Sequence, residues 1–198
     1  MKTLLIKNGT VVTLGDPGQV IEHGEVLIEG TAIKAVGRQL EGAHPADRVL
    51  DARGGVIMPG LLNVHHHLYS TFARGLAVPG EPAKNFQEIL ERLWWRLDRA
   101  LNAHDVYYSA LLPALEAAKA GCTTLVDHHA SPSCCDGSLD LIEKALREVG
   151  LNACLCYEVT DRNRDGEGIE ENERYIKQCR ARQDPHKGPG FPGPLCPT

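Results

Sequence analysis

The sequence predicts an α/β fold in which parallel strands follow a small β-rich segment. Over residues 57–185, apolar strand-like runs alternate with segments of helical periodicity, and this alternation is typical of parallel βα units. Residues 1–56 instead hold short apolar runs separated by Gly, Asn and Pro turn signals, which predicts a small sheet built from hairpins. The chain of 198 residues therefore divides into a β-rich part and an α/β part.

The first part is predicted to begin with a tight hairpin. The run Thr3–Ile6 leads into Asn8-Gly9, a dipeptide that favours two-residue hairpin turns. Further strands are predicted at residues 11–14, 25–29, 32–36 and 49–51. A sheet this small is marginally stable by itself, so we expect it to need a partner surface.

The second part contains alternating helices and strands. Helices are predicted over 85–101, from Asp105 as N-cap to Gly121, over 138–149 and over 168–182, with strands over 122–127 and 151–157. Pro113 lies within the second helix, and we expect it to kink or split that helix. Residues 186–198 are too rich in Gly and Pro for a fourth parallel strand. Their composition favours a truncated or frame-shifted product over a disordered tail.

Composition excludes several functional classes. The net charge is −5, with 21 basic and 26 acidic residues, and no basic stripe indicates nucleic-acid binding. The longest run without charged side chains, Gly54–Ala73, contains Pro59 and Gly60, so no membrane span is predicted. Without a secretion signal, the seven cysteines are expected to be reduced and buried in a cytoplasmic protein. A cysteine-based zinc site is the alternative, although the cysteine spacing does not match known zinc motifs.

Three histidines directly follow the apolar run Leu61–Val64. Side chains two residues apart on a strand point to the same side, so His65 and His67 can converge on one metal ion, while His66 points away. The end of a parallel strand is also where α/β folds place their active sites. The alternative is a chance histidine tract in a loop.

These features make the chain recognisable. The β-rich start, the Val56–Asn63 turn and the His-x-His motif resemble the amidohydrolase superfamily. Within it, the segments 85–98, 121–132 and 157–163 are most similar to the aminohydrolase/chlorohydrolase branch, and in particular to the aminohydrolases called SsnA. The resemblance covers residues 1 to about 185.

The resemblance implies a (β/α)₈ TIM-type barrel beside a composite β-sandwich. Residues 1–56 would form part of the sandwich and 57–185 the first three βα units, followed by the irregular tail 186–198. A complete barrel takes roughly 250 residues, so the barrel would be incomplete. His65 and His67 would be the first two metal ligands. The remaining ligands and the catalytic acid/base would come from later strands, which leaves the acid/base unassigned here.

The resemblance also implies a chemistry. A divalent metal, zinc first and iron as the alternative, would activate a water that attacks an sp² carbon of a small heterocycle or amidine and displaces the amino group or halide that this carbon carries. Four residues at later strand ends are candidates for lining the pocket or supporting the site: Asp127, His128, His129 and Glu158. A hydrogen-bonded histidine pair and a solvated loop are the alternatives for them. Trp94 and Trp95 are expected to pack a helix against the barrel rather than to contact substrate.

Two other functional hypotheses stay open at this stage. The chain could be an inactive fragment or a metal-binding protein without turnover, because only two ligands are assigned. A dihydroorotase-like enzyme with two metals would need a carboxylated lysine on a later strand. The expected partner is a small nitrogenous substrate, with neither nucleic acid nor membrane, and the full-length form is expected to be a homo-oligomer.

Overall fold

The computed structural model describes residues 2–43, 45–77 and 79–182. The chain divides into two compact units, one ending at Pro59 and the other beginning at Gly60. The predictions made for 186–198 concern residues outside the described part. In chain order the strands and helices are β1 (Thr3–Val12), β2 (Val20–Glu29), β3 (Ala32–Gly37), α1 (Leu40–Ala43), β4 (Arg48–Asp51), β5 (Val56–Ile57), β6 (Leu61–His66), α2 (Phe86–Ile89), α3 (Trp95–Ala100), α4 (Ala103–Lys119), β7 (Cys122–His129), α5 (Ser138–Val149), β8 (Asn152–Tyr157) and α6 (Ile169–Arg182).

The first unit is a mixed sheet with β1 at its centre. Strands run in the order β3-β2-β1-β4, and β5 also pairs with β1. The β1–β2 and β2–β3 pairs are antiparallel hairpins as expected, whereas β4 and β5 lie parallel to β1. The sheet is therefore only partly built from hairpins.

The hairpin predicted at Asn8-Gly9 is wrong, because β1 continues through both residues. The β1–β2 register shifts between Ile6 and Gly9, and Asn8 has a φ of 59°. The left-handed backbone conformation of Asn8, which asparagine tolerates, thus lies within a β-bulge. The chain reverses later, where the Thr13 backbone N–H donates to the Gln19 carbonyl at 3.0 Å.

The second unit contains a parallel sheet of order β6-β7-β8. The predicted βα alternation is therefore confirmed. The sheet's buried residues and those of α4 and α5 form one hydrophobic cluster, which includes Val106, Ala110, Leu125, Ile142 and Leu155. Because all three strands run the same way, their carboxyl ends meet at one edge.

Helix α4 is continuous, so of the kink or split predicted at Pro113 the split is wrong and the kink stays a prediction. Pro113 is buried next to Ala114, and packing here outweighs the intrinsic cost of proline in a helix. The predicted N-cap is also displaced. Asn102 caps the helix by accepting from His104 N and Asp105 N, while the Asp105 carboxylate accepts from the Asn102 N–H at 3.0 Å. This is a capping box.

The helical segment predicted over 85–101 is confirmed from Phe86 to Ala100, although its middle is not α-helical. Between α2 and α3, residues Leu90–Trp94 form a π-helical turn. Such turns recur at functional sites because they displace side chains from regular helical positions. No helix among the described ranges combines the length and apolarity that crossing a membrane requires.

Candidate metal centre and its pocket

His65 and His67 point their ring nitrogens at each other at the end of β6. The two Nε2 atoms lie 3.1 Å apart, and the rings are nearly perpendicular, with an interplanar angle of 86°. Two histidine ligands at 2.0–2.1 Å from a tetrahedral metal have nitrogens about 3.3 Å apart. The pair therefore has the spacing that a shared metal ion requires. His66 does not join it, and burial lowers the pKa of its imidazole.

The neighbouring strand fixes the tautomer of His67. The Nδ1 atom of His67 lies 3.0 Å from the backbone carbonyl oxygen of His128. A carbonyl oxygen only accepts hydrogen bonds, so Nδ1 must carry a proton, and in the neutral ring Nε2 then keeps its lone pair. Metal-binding histidines commonly have such a carbonyl behind the ring. His67 is thus held in the form that can bind a metal through Nε2.

The described residues supply two ligands rather than a complete site. Within the described ranges, no group of three or more His, Cys, Asp or Glu side chains is arranged to hold a metal ion. A structural zinc site normally has four protein ligands and a catalytic one three. The pair therefore fits part of a metal centre, and this part of the chain offers no support for a cysteine-based zinc site.

Asp127 supports the turn that follows His67. Its side chain is fully buried, and Oδ1 accepts from the Leu68 backbone N–H at 2.7 Å. Oδ2 has no hydrogen-bond partner. Burial raises the pKa of this carboxyl to about 7, since ionisation is costly without solvent. Asp127 is not among the residues that line the pocket.

His129 lies in the core rather than in the pocket. It is fully buried, and its Nε2 lies 2.8 Å from Ser131 Oγ. The rings of Tyr69 and Tyr157 flank it at 5.8 and 5.7 Å between centroids. Burial lowers the pKa of His129 to about 3, so the ring is neutral at physiological pH. Its hydrogen bond is therefore made to Ser131 and not to His128.

A cavity of about 380 Å³ opens beside the histidine pair. Its size is at the lower end of the range for small-molecule sites. Its walls combine three histidines, aromatic and apolar side chains, a serine and three charged residues, namely His65, His67, Tyr69, Ser70, Phe86, Leu90, Trp94, Trp95, Asp98, His128, Glu158 and Arg162. Of the four residues proposed to line a pocket, His128 and Glu158 do so. Trp94 and Trp95 also line it, and the packing role expected for them stays a prediction.

A buried ion-pair network forms one end of the cavity. Arg162 Nη2 donates to Asp98 Oδ2 at 2.6 Å and to Glu158 Oε2 at 3.2 Å. The guanidinium carbon also lies 5.1 Å from the centre of the Trp95 ring. Asp98 is only 1% exposed. Burial raises the pKa of Asp98, and the hydrogen bond from Arg162 opposes that rise.

Sequence reasoning missed both Asp98 and Arg162. Asp98 occurs four residues after Trp94, on the stripe that also holds Leu97 and Leu101. A carboxylate within an apolar helical stripe is unusual, because burying a charge is costly without a partner. That signal was available, but its partner lies 64 residues away and no local pattern identifies it.

Comparison with known proteins decides the family. Residues 56–188 match the model of the amidohydrolase family. The chain belongs to the amidohydrolase family. The predicted resemblance to the amidohydrolase superfamily is therefore confirmed, and the chain belongs to a family of enzymes.

The curated relatives are deaminases. The chain is 36% identical over 179 residues to a 5-methylthioadenosine/S-adenosylhomocysteine deaminase of Pyrococcus furiosus, covering 88% of this chain and 39% of the relative. It is 32% identical over 187 residues to a 5'-deoxyadenosine deaminase of Methanosarcina acetivorans, covering 93% of this chain and 40% of the relative. The chain thus spans about two fifths of the length of these relatives.

Solved structures confirm the fold class. A mutant of the atrazine chlorohydrolase TrzN from Arthrobacter aurescens, complexed with zinc and atraton, matches with a TM-score of 0.72 and 25% identity, over 98% of this chain and 45% of that one. Guanine deaminase from Bradyrhizobium japonicum matches with a TM-score of 0.67 and 18% identity, over 99% and 43%. This chain therefore has an α/β fold that corresponds to part of a TIM-type barrel.

Proposed function

We propose that the protein is a metal-dependent hydrolase that cleaves non-peptide carbon–nitrogen bonds in a small nitrogenous heterocycle or amidine. The carrying observation is the His65–His67 pair, whose Nε2 atoms are 3.1 Å apart at the end of a parallel strand. The relatives named as adenosine-type deaminases support hydrolytic deamination. His65 and His67 would hold the metal, zinc in the first instance and iron as the alternative, together with ligands outside the described residues.

Residues of this chain would orient the metal ligands for that reaction. A bound divalent metal lowers the pKa of its water toward 7 and so supplies a nucleophile near neutral pH. The His128 carbonyl keeps the Nδ1 proton of His67 in place. Asp127 holds the Leu68 backbone that follows the second ligand. None of the described residues is assigned as the acid that protonates the departing amine.

The residues that line the pocket favour a flat substrate. Phe86, Leu90 and Trp94 give the cavity an apolar and aromatic wall beside the histidine pair. Aromatic faces stack well on planar rings, so a purine, pyrimidine or triazine fits this wall. A cytoplasmic location and a homo-oligomeric full-length form stay predictions from the sequence.

Metal analysis tests the proposal directly. Elemental analysis of the purified chain should find bound zinc or iron, and the His65→Ala/His67→Ala double variant should lose it. His104→Ala is the matched control, because His104 is exposed and distant in sequence from the pair. Ammonia release from 5'-deoxyadenosine then tests hydrolysis. Metal retained by the double variant contradicts the site, while bound metal without ammonia release from this or the other heterocycles favours a metal-binding protein without turnover.

A further inference from the structure

Glu158 presents a carboxylate to the same cavity as the histidine pair. It directly follows β8, and its backbone N–H donates to the His129 carbonyl at 2.8 Å, which extends the pairing with β7 by one residue. Its side chain is 28% exposed and lines the cavity with His65 and His67. The backbone is therefore fixed while the carboxylate stays accessible from the pocket.

The two oxygens of Glu158 have different surroundings. Oε2 accepts a hydrogen bond from Arg162 Nη2 at 3.2 Å. Among the described residues, the hydrogen bond and the ion pair of the Glu158 side chain both go through Oε2, which leaves Oε1 facing neither. An ionised carboxylate only accepts hydrogen bonds, so Oε1 is an acceptor available to a ligand.

Arg162 restrains the Glu158 carboxylate through its Oε2 atom. The same Nη2 atom is anchored on the buried Asp98, and the Trp95 ring covers the guanidinium at 5.1 Å. The Arg162 backbone N–H also donates to Thr160 Oγ1 at 3.2 Å. Two residues of α3, Asp98 and Trp95, thus restrain the planar cation, and Thr160 restrains the Arg162 backbone. Such a cation limits the rotamers that Glu158 can adopt.

We propose that Glu158 is a specificity-determining residue that accepts hydrogen bonds from N–H groups on the edge of the substrate, and that Arg162 is its positioning residue. The inference rests on the proposed function only in taking this cavity as the substrate pocket. A ring that bears amino groups satisfies Oε1. A ring of the same shape without N–H groups leaves that oxygen without a partner, and therefore binds less well.

The pocket carries its own optical probe. The chain has two tryptophans, Trp94 and Trp95, and both line the cavity. Tryptophan emission of the full chain can therefore be titrated with melamine, which has three amino groups on a triazine ring, and with 2,4,6-trimethoxy-1,3,5-triazine, which has none. The wild type should bind melamine more tightly.

The Glu158→Gln variant should reduce melamine affinity about tenfold, which is at the lower end for a hydrogen bond to a charged group that water can also reach. Its affinity for the trimethoxy ring should stay within about twofold, because that ring makes no such bond. Glu170→Gln, which makes the same change at an exposed position of α6, should alter neither affinity. Glu158→Asp is a second variant that retracts the carboxylate without removing its charge.

Arg162 needs a readout that a purely structural role would not change. Arg162→Lys keeps the positive charge but loses the planar fork. A positioning role predicts that the ratio of the two affinities falls toward one. A merely structural role would weaken both probes equally and leave the ratio unchanged.

Binding requires neither metal nor turnover, so the two proposals fail separately. Discrimination between the probes without bound metal or ammonia release would support the inference and reject the proposed function. Melamine binding by Glu158→Gln within twofold of the wild type would reject the inference, whatever the metal content. A wild type that binds neither probe, or both equally, also overturns it.

Discussion

The Nδ1 atom of His67 lies 3.0 Å from the backbone carbonyl oxygen of His128, on the adjacent strand. The neighbouring strand, rather than the histidine's own, therefore determines which nitrogen faces the candidate metal position. The same strand end supplies the Asp127 carboxylate to the Leu68 backbone. The geometry of the metal pair thus depends on the pairing of β6 with β7 as much as on the His-x-His motif.

The first prediction concerns Asp127, whose Oδ1 accepts from Leu68 N at 2.7 Å. Asp127→Leu leaves that buried N–H without a partner, and should lower the free energy of unfolding by about 1–3 kcal/mol relative to Asp127→Asn. The asparagine variant keeps an acceptor oxygen and should stay within about 1 kcal/mol of the wild type. Urea unfolding followed by circular dichroism measures both. Equal stability of the two variants would show that the hydrogen bond to Leu68 contributes little.

The second prediction concerns the pH dependence of stability through His129. Burial lowers the pKa of His129 to about 3 in the folded chain, against about 6.5 in the unfolded chain. Between these values the unfolded state binds the extra proton, so stability falls as pH falls. The slope from this one group approaches about 1.4 kcal/mol per pH unit. The stability that neutral His129 contributes should be fully lost only when the pH reaches the pKa of the folded chain.

His129→Gln isolates this contribution. Glutamine can keep a hydrogen bond to Ser131 Oγ but does not titrate. The neighbouring rings of Tyr69 and Tyr157 are neutral across this range, and His128 titrates in both proteins. As pH falls from 6.5 to 4.5, the difference in unfolding free energy between variant and wild type should therefore change with a slope that approaches about 1.4 kcal/mol per pH unit. Parallel curves, matching those of an exposed His104→Gln control, would contradict the burial of a neutral His129.

The features that sequence reasoning identified are local ones. Helix α5 and strand β8 follow from apolar periodicity, and His65 and His67 share a side because strand residues alternate. Each of these depends on residues within one element, so a single sequence carries the signal. The family resemblance then supplied the barrel.

The features that sequence reasoning missed depend on tertiary contacts. Asn8-Gly9 favours a turn locally, yet pairing on both sides keeps it within β1. Trp95 lines the cavity, directly follows a π-helical turn and lies against the cation of Arg162. That cation and its partner Asp98 lie on different elements, and no spacing rule connects them.

The third prediction concerns the loop between β8 and α6. Gly168 has a φ of +89°, and a Cβ there would lie 2.1 Å from the Glu158 carbonyl oxygen. Gly166 also has a positive φ, but its Cβ would meet only Ile169 Cδ1, at 3.3 Å. Gly166→Ala should cost about 1 kcal/mol from the backbone conformation alone. Gly168→Ala should cost clearly more, because the clash is with backbone. Equal shifts in melting temperature would mean that the loop moves away from Glu158 freely.

The last prediction concerns the buried pair of Asp98 and Arg162, which are 1% and 13% exposed at the side chain. Arg162→Met leaves the Asp98 carboxylate buried without its cation, and should destabilise the chain by about 3–5 kcal/mol at pH 7. Burial raises the pKa of Asp98, and removing Arg162 withdraws the interaction that opposes this rise. The carboxyl therefore protonates more readily in the variant, and the cost should shrink as pH is lowered to 5.

Adding Asp98→Asn to Arg162→Met should restore much of the lost stability at pH 7, because the buried charge is then absent. Urea unfolding of the wild type, both single variants and the double variant at the two pH values completes the cycle. A cost that does not depend on pH, and that Asp98→Asn fails to reduce, would mean that Arg162 stabilises the chain through its packing on Trp95 instead. In that case the cation–π contact, rather than the ion pair, would fix the end of the cavity where Glu158 lies.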